Sequence, residues 1–155
     1  MLTQTLYDQD FHQWLEKTIN QLEQKDFNNL DIDHLLEELK GLGKSDKNAL
    51  ESNLVSLLAH RLKLNGKADA PDTMKASWYR SVIEHRERLI MQLENIPSLK
   101  SYLPTILQTS YSKSRKLAIK ESKLAAFGIP IPNENNYPLI CPFDLEQILN
   151  EDYYG

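Results

Sequence analysis

Two arginines and four histidines are the residues of this chain whose types and spacing could support chemistry. Arg80 and His85 stand in an Arg-x4-His spacing. In such a pair His85 would act as general base on a ribose 2′-hydroxyl while Arg80 steadied the charge of a phosphorane, which is what RNA cleavage needs. Two residues make a weak pattern. Helical projection also turns Arg80 away from the Trp78 face. Arg86 is a different case, because it falls inside an apolar stripe with Val82, Leu89 and Leu93. A guanidinium stays charged, and burying it unpaired costs several kcal/mol. The stripe therefore predicts a carboxylate partner, Glu51 first and Glu38 second, in a buried ion pair that sets the register of two helices. An anion-binding or catalytic arginine is the alternative.

His12, His34, His60 and His85 fall one on each of the first four predicted helices. Helical bundles build metal sites from carboxylates and Glu-x-x-His pairs on facing helices. This chain has no Glu-x-x-His; its nearest pattern is Asp31-x-x-His34 with Glu38 one turn beyond. His12 and His34 project off the apolar stripes, whereas His60 and His85 lie at stripe edges and can approach each other. The candidate ligands are thus His34, Glu38, His60 and His85, but satisfied or solvent-facing imidazoles are the simpler expectation, and no metal or cofactor is predicted. Lys113, Lys116, Lys120 and Lys123 form a stripe with Arg115 beside it. Such a stripe can meet phosphates, yet without interleaved aromatics it reads as a solvated face and argues against nucleic acid. The close carboxylates Glu37-Glu38 and Asp31/Asp33 read as the wet side of a helix. Cys141, between Ile140 and Pro142, has no base or cation beside it and reads as a packed thiol. With no glycine-rich phosphate loop, Gly-x-Ser-x-Gly elbow or His-Glu-x-x-His, no complete catalytic set assembles, and the expectation leans away from an enzyme.

The elements that must position these groups follow from patterning. The 155 residues, 41% hydrophobic and 26% charged, have globular composition and suffice for one domain with a real core. No apolar run approaches the roughly 20 residues of a membrane helix, and the acidic stretch Met1 to Asp10 lacks the layout of an export signal. The single cysteine excludes an internal disulfide and fits a reducing cytosol. Residues 1–43 carry nine Asp and Glu against three Lys and Arg, residues 44–128 carry eight against 15, and residues 129–155 carry five against none. Acidic ends around a basic middle predict that the termini fold back over that middle.

The central stretch Ser45 to Leu64 places Leu50, Leu54, Leu57, Leu58 and Leu62 on one helical face, with Glu51 and Arg61 projecting the same way. A first helix is expected over Asp8 to Gln24. A second is capped by Asp31, with Ile32, Leu35, Leu36, Leu39 and Leu42 as its buried stripe, and Gly41 and Gly43 end or bend it before Ser45 caps the central helix. A fourth helix spans Asp72 to Asn95, on the stripe of Trp78, Val82, Leu89 and Leu93. A fifth runs from Pro104 to Phe127, its face built on Leu103, Leu107, Tyr111 and Ala118. The proline-rich stretch 129–142 is expected to lie across the bundle as an extended arm, and Pro142 to open a short last helix. No strand pattern appears, so the fold class is all-α: a bundle of about five main helices in a single domain over residues 1–155, with that arm and a short terminal helix.

The order of these signals resembles the domain-of-unknown-function family 29 of small bacterial helical proteins over nearly the whole chain. Tyr7, Asp10 and Trp14 resemble its aromatic-Asp-Trp run. Asp31, Leu35, Leu36, Glu37, Glu38 and Gly43 resemble its Asp, apolar pair and double Glu before Gly. Leu57, Leu58, His60, Leu62 and Lys63 resemble its leucine helix; Trp78, Ile83 and Arg86, then Pro97, Ser98 and Leu99, its Trp helix; and Cys141-Pro142-Phe143 its Cys-Pro-aromatic element. The resemblance implies an all-helical fold and no activity. The Arg80/His85 spacing resembles the ribonuclease motif of HEPN-type helical toxins and is the runner-up to a non-catalytic, cytoplasmic interaction or adaptor protein that binds another protein or itself. A metal-binding bundle is third.

Overall fold

The computed structural model describes residues 3–124 and 134–154. It is 79% helical, and no strand occurs among the described residues. The helices are α1 (Leu6–Gln9), α2 (Phe11–Glu23), α3 (Ile32–Gly66), α4 (Asp72–Asn95), α5 (Leu99–Leu124) and α6 (Leu145–Leu149), with 3-10 turns at Phe27–Asn29 and Glu134–Asn136. By their packing the residues gather into two units, Met1–Asp46 and Lys47–Gly155, and each is taken in turn.

In Met1–Asp46, the helix expected over Asp8 to Gln24 is two helices. Thr5 caps α1 in a reciprocal box with Asp8, and Asp10, in extended conformation, closes α1 and accepts from the Gln13 N–H to open α2. Side-chain caps on both sides satisfy the orphan donors, so the chain can turn there. The α2 helix ends where Lys25 takes φ 58°; the Lys25 N–H donates to Leu22 O at 3.0 Å and the Asp26 N–H to Gln21 O at 2.8 Å. That is the Schellman pairing, here with a lysine where glycine is usual. Trp14 and Thr18 are buried.

The predicted break between the second and central helices is absent: α3 runs without interruption from Ile32 to Gly66. Ser45 is therefore interior and caps nothing. A glycine in a helix costs about 1 kcal/mol relative to alanine and stops the helix only when it adopts the left-handed conformation, which neither Gly41 nor Gly43 does.

In Lys47–Gly155 the core forms where the leucine face of α3 meets Trp78, Val82, Leu89 and Leu93 of α4 and Leu103, Tyr111 and Ala118 of α5. The α4 bounds are those expected from the sequence. The α5 helix instead starts at Leu99, with Pro104 inside its second turn, where a missing N–H removes one helical bond without stopping the helix. Ser110, Ser114 and Ser122 are buried on α5. Ser114 Oγ donates to Val55 O at 2.9 Å, a bond that small side chains permit by letting two helices come close.

Of the proline-rich stretch, residues 129–133 lie outside the described residues. In the remainder Tyr137 is buried, whereas Leu139 and Ile140 are exposed, so one aromatic anchors the segment and its aliphatic side chains do not. The last helix is opened by Asp144, which caps α6 in a reciprocal box with Gln147, and not by Pro142.

Candidate functional site

Within Met1–Asp46 the side chains that meet come from α1, α2 and the start of α3. The Tyr7 ring lies over the His34 imidazole, with centroids 4.0 Å apart and planes 16° from parallel, and its hydroxyl donates to Glu38. That bond, then burial and the charges of Glu37, Glu38 and Asp8, push the Tyr7 phenol up to about 12. Asp31 gathers three donors: Trp14 Nε1 at 3.1 Å, His34 Nδ1 at 2.6 Å and the His34 backbone N–H at 3.4 Å. The Asp31 bond pushes the His34 imidazole above its usual range, and the His34 bond holds the Asp31 carboxyl below its own. Chemically this is a carboxylate-imidazole pair with two aromatic walls. Among the described residues His34 Nε2 forms no hydrogen bond, and none joins the imidazole to a serine, threonine or cysteine hydroxyl or thiol. The cluster therefore acts as a brace that ties α1 and α2 to α3.

What the brace displays is the more telling feature. Of the stripe expected to be buried on the second helix, Leu35 is half-buried and the rest is exposed: Ile32 by 49%, Leu36 by 46%, Leu39 by 56% and Leu42 by 66%. Phe11 and Leu22 on α2 are exposed as well. Two short helices have too little surface to cover every apolar group of a unit this small.

Within Lys47–Gly155 the expected Arg86 ion pair is replaced. Arg86 donates from Nε to Ile148 O at 2.7 Å and from Nη2 to Tyr153 O at 2.9 Å. Glu51 pairs with Lys113, and Glu38 is taken by Tyr7. The carbonyls of the chain around α6 reach the buried guanidinium, whereas Glu51 is held by a lysine of α5. Arg61 proves to be a second buried cation, donating to Tyr154 O.

His60 and His85 do approach, with ring centroids 6.5 Å apart. His60 Nδ1 lies 2.7 Å from Ser56 O and 3.2 Å from Ser81 Oγ, and His85 Nδ1 lies 3.1 Å from Asn53 Oδ1. Burial pushes both imidazoles down. Arg80 is exposed, and no hydrogen bond joins it to His85 among the described residues. Nor does any group of three or more His, Cys, Asp or Glu that could hold a metal ion form among them. Arg115 leaves the lysine stripe to donate to Tyr137 O at 2.9 Å and Glu134 O at 2.8 Å, so it anchors the C-terminal segment. The Cys141 thiol is pushed up by burial, as a packed thiol should be.

Residues 6–154 match the model of the Domain of unknown function DUF29. The chain belongs to the DUF29 family. No curated protein and no solved structure matches it. Two of the motifs that carried the resemblance make the brace: Tyr7 and Trp14 of one bond Glu38 and Asp31 of the other. Sequence reasoning read Asp31 as a cap, Glu38 as a wet-side carboxylate or second-choice partner of Arg86, and Asp31, His34 and Glu38 as the nearest approach to a metal-ligand pattern. The co-occurrence of the two DUF29 motifs was the only signal that they belong together.

Proposed function

We propose that this DUF29 chain is a non-catalytic interaction protein whose docking surface is the exposed apolar face of Met1–Asp46. The observation that carries the reading is the row Ile32, Leu36, Leu39 and Leu42 on α3, exposed at helical spacing. A contiguous apolar row rimmed by charge is the usual mark of a protein-binding surface. The charge indicates the kind of partner: residues 1–43 carry nine Asp and Glu against three Lys and Arg. A basic, amphipathic helical surface suits that face, as helix-in-groove partners do, and the complementary charge speeds encounter.

Native mass spectrometry of the protein isolated gently from its host tests this, with the Leu36→Asp/Leu39→Asp variant beside it. We expect a second chain at fixed stoichiometry on the natural protein and its loss from the variant, with binding that weakens as salt rises. A homodimer lost in the variant identifies the partner as a second copy. The same bare monomer for both proteins overturns the reading.

A further inference from the structure

The unit Lys47–Gly155 buries two arginines, and neither forms an ion pair among the described residues. Arg61 on α3 and Arg86 on α4 are each 1% exposed. Among the described residues, no carboxylate stands within ion-pair distance of either guanidinium, and Glu151 acts on Arg86 only through its more distant charge. Both cations are held instead by the C-terminal segment. Its carbonyls at Ile148 and Tyr153 take Arg86, and that at Tyr154 takes Arg61. Its rings cover the charges, with Phe143 5.1 Å and Tyr153 5.2 Å from Arg61 and Tyr154 5.4 Å from Arg86. Among the described residues, Arg61 Nη2 and Arg86 Nη1 are buried without a hydrogen-bond partner.

This arrangement is incomplete in a specific way. Carbonyl dipoles solvate a guanidinium but do not neutralise it, and a buried N–H without an acceptor forfeits the water it gave up. The two cations also repel each other, an effect that adds to burial in pushing Arg61 down. A guanidinium fork is satisfied best by two oxygens of one oxyanion, and two buried positive charges are balanced by a dianion, as a phosphate group is and a carboxylate is not. A cleft of about 160 Å³ opens beside Arg86, lined also by Ile83, Glu87, Glu151 and Tyr154. Of its two glutamates, Glu151 belongs to the C-terminal segment and leaves the cleft with it, whereas Glu87 stays on α4.

We infer that the Arg61–Arg86 pair between α3 and α4 is a binding site for a phosphate-bearing ligand, and that the segment from Phe143 to Tyr154 sits in it as a removable plug, its carbonyls standing in for phosphate oxygens. Binding requires the segment to lift, so the apparent affinity is the intrinsic affinity reduced by the fraction of molecules in which it is lifted.

The test uses the full chain titrated with inorganic phosphate above its second ionisation, at constant ionic strength. Calorimetry reads binding and amide hydrogen exchange reads the segment. We expect saturable binding, faster exchange at residues 145–154, and neither effect from acetate at the same concentration. Ile148→Ala, which loosens the plug, should tighten phosphate binding by about tenfold, and Arg86→Met should abolish it. Should Arg86→Met fail to fold, the direction of the Ile148→Ala change decides. The inference is overturned by no saturable phosphate binding in either the natural chain or Ile148→Ala, by binding that leaves exchange of the segment unchanged, or by acetate binding as well as phosphate.

Discussion

His34 shows how one side chain carries a pH signature. Asp31 raises its folded pKa above the ordinary 6.5, so the imidazole's contribution to stability is fully present below 6.5 and is lost as pH rises through the folded value. Asp31, lowered from 3.8, contributes above 3.8 and loses that contribution as pH falls through its own folded value. The pair is strongest between those limits. His60 and His85 run the other way: pushed below 6.5 by burial, they stay neutral where unfolded imidazoles take up protons, and the fold around them weakens as pH falls below 6.5. Lowering the pH from about 7.5 to about 5.5, the range over which histidine titrates, should therefore strengthen Met1–Asp46 and weaken the α3–α4 contact around His60. Amide exchange, corrected for intrinsic rate, reads both at once. His34→Gln should erase the first change and leave the second, and a change of the same sign in both places would contradict the assignment.

At the scale of the element, α3 decides most. Its 35 residues pass through two glycines that looked like a stop. A Cβ built on Gly41 or Gly43 meets nothing within 4 Å, so neither glycine is required for space. Gly41→Ala and Gly43→Ala should each stabilise the helix by about 1 kcal/mol through the lost backbone entropy of glycine, read as slower amide exchange across residues 38–46. Destabilisation by either substitution would mean that α3 needs a bend there. The exposed leucines of α3 belong to the same lesson. Periodicity marks a face as apolar, but whether that face is covered depends on neighbours that periodicity does not describe.

For the whole molecule, the long-range seam is where the chain after α5 returns to α3 and α4. Gly66, the last residue of α3, lies against Tyr137: a Cβ there would meet the ring at 2.6 Å. The ring is buried, and its hydroxyl lies 2.8 Å from Ser122 Oγ, so it has little room to swing aside. Gly66→Ala should cost about 1–3 kcal/mol by overpacking, measured as a lower denaturation midpoint at unchanged slope. Tyr137→Leu combined with it should recover part of that loss. A neutral Gly66→Ala would show that Tyr137 gives way freely.

The amino-acid sequence by itself determined the all-α class, the bounds of α4, the leucine face of α3 and the burial of Arg86. Each of these follows from local periodicity or from the type of one residue. Tertiary structure alone decided the partners. Arg86 looked for a carboxylate and received the carbonyls of Ile148 and Tyr153, sequence separations of 62 and 67 residues. A carbonyl is present at every position, so no residue type announces which one will be used. The Tyr7–His34–Asp31 brace was hidden for a related reason: stacking and capping residues carry no periodic signal, and only folding brings α1 to the start of α3.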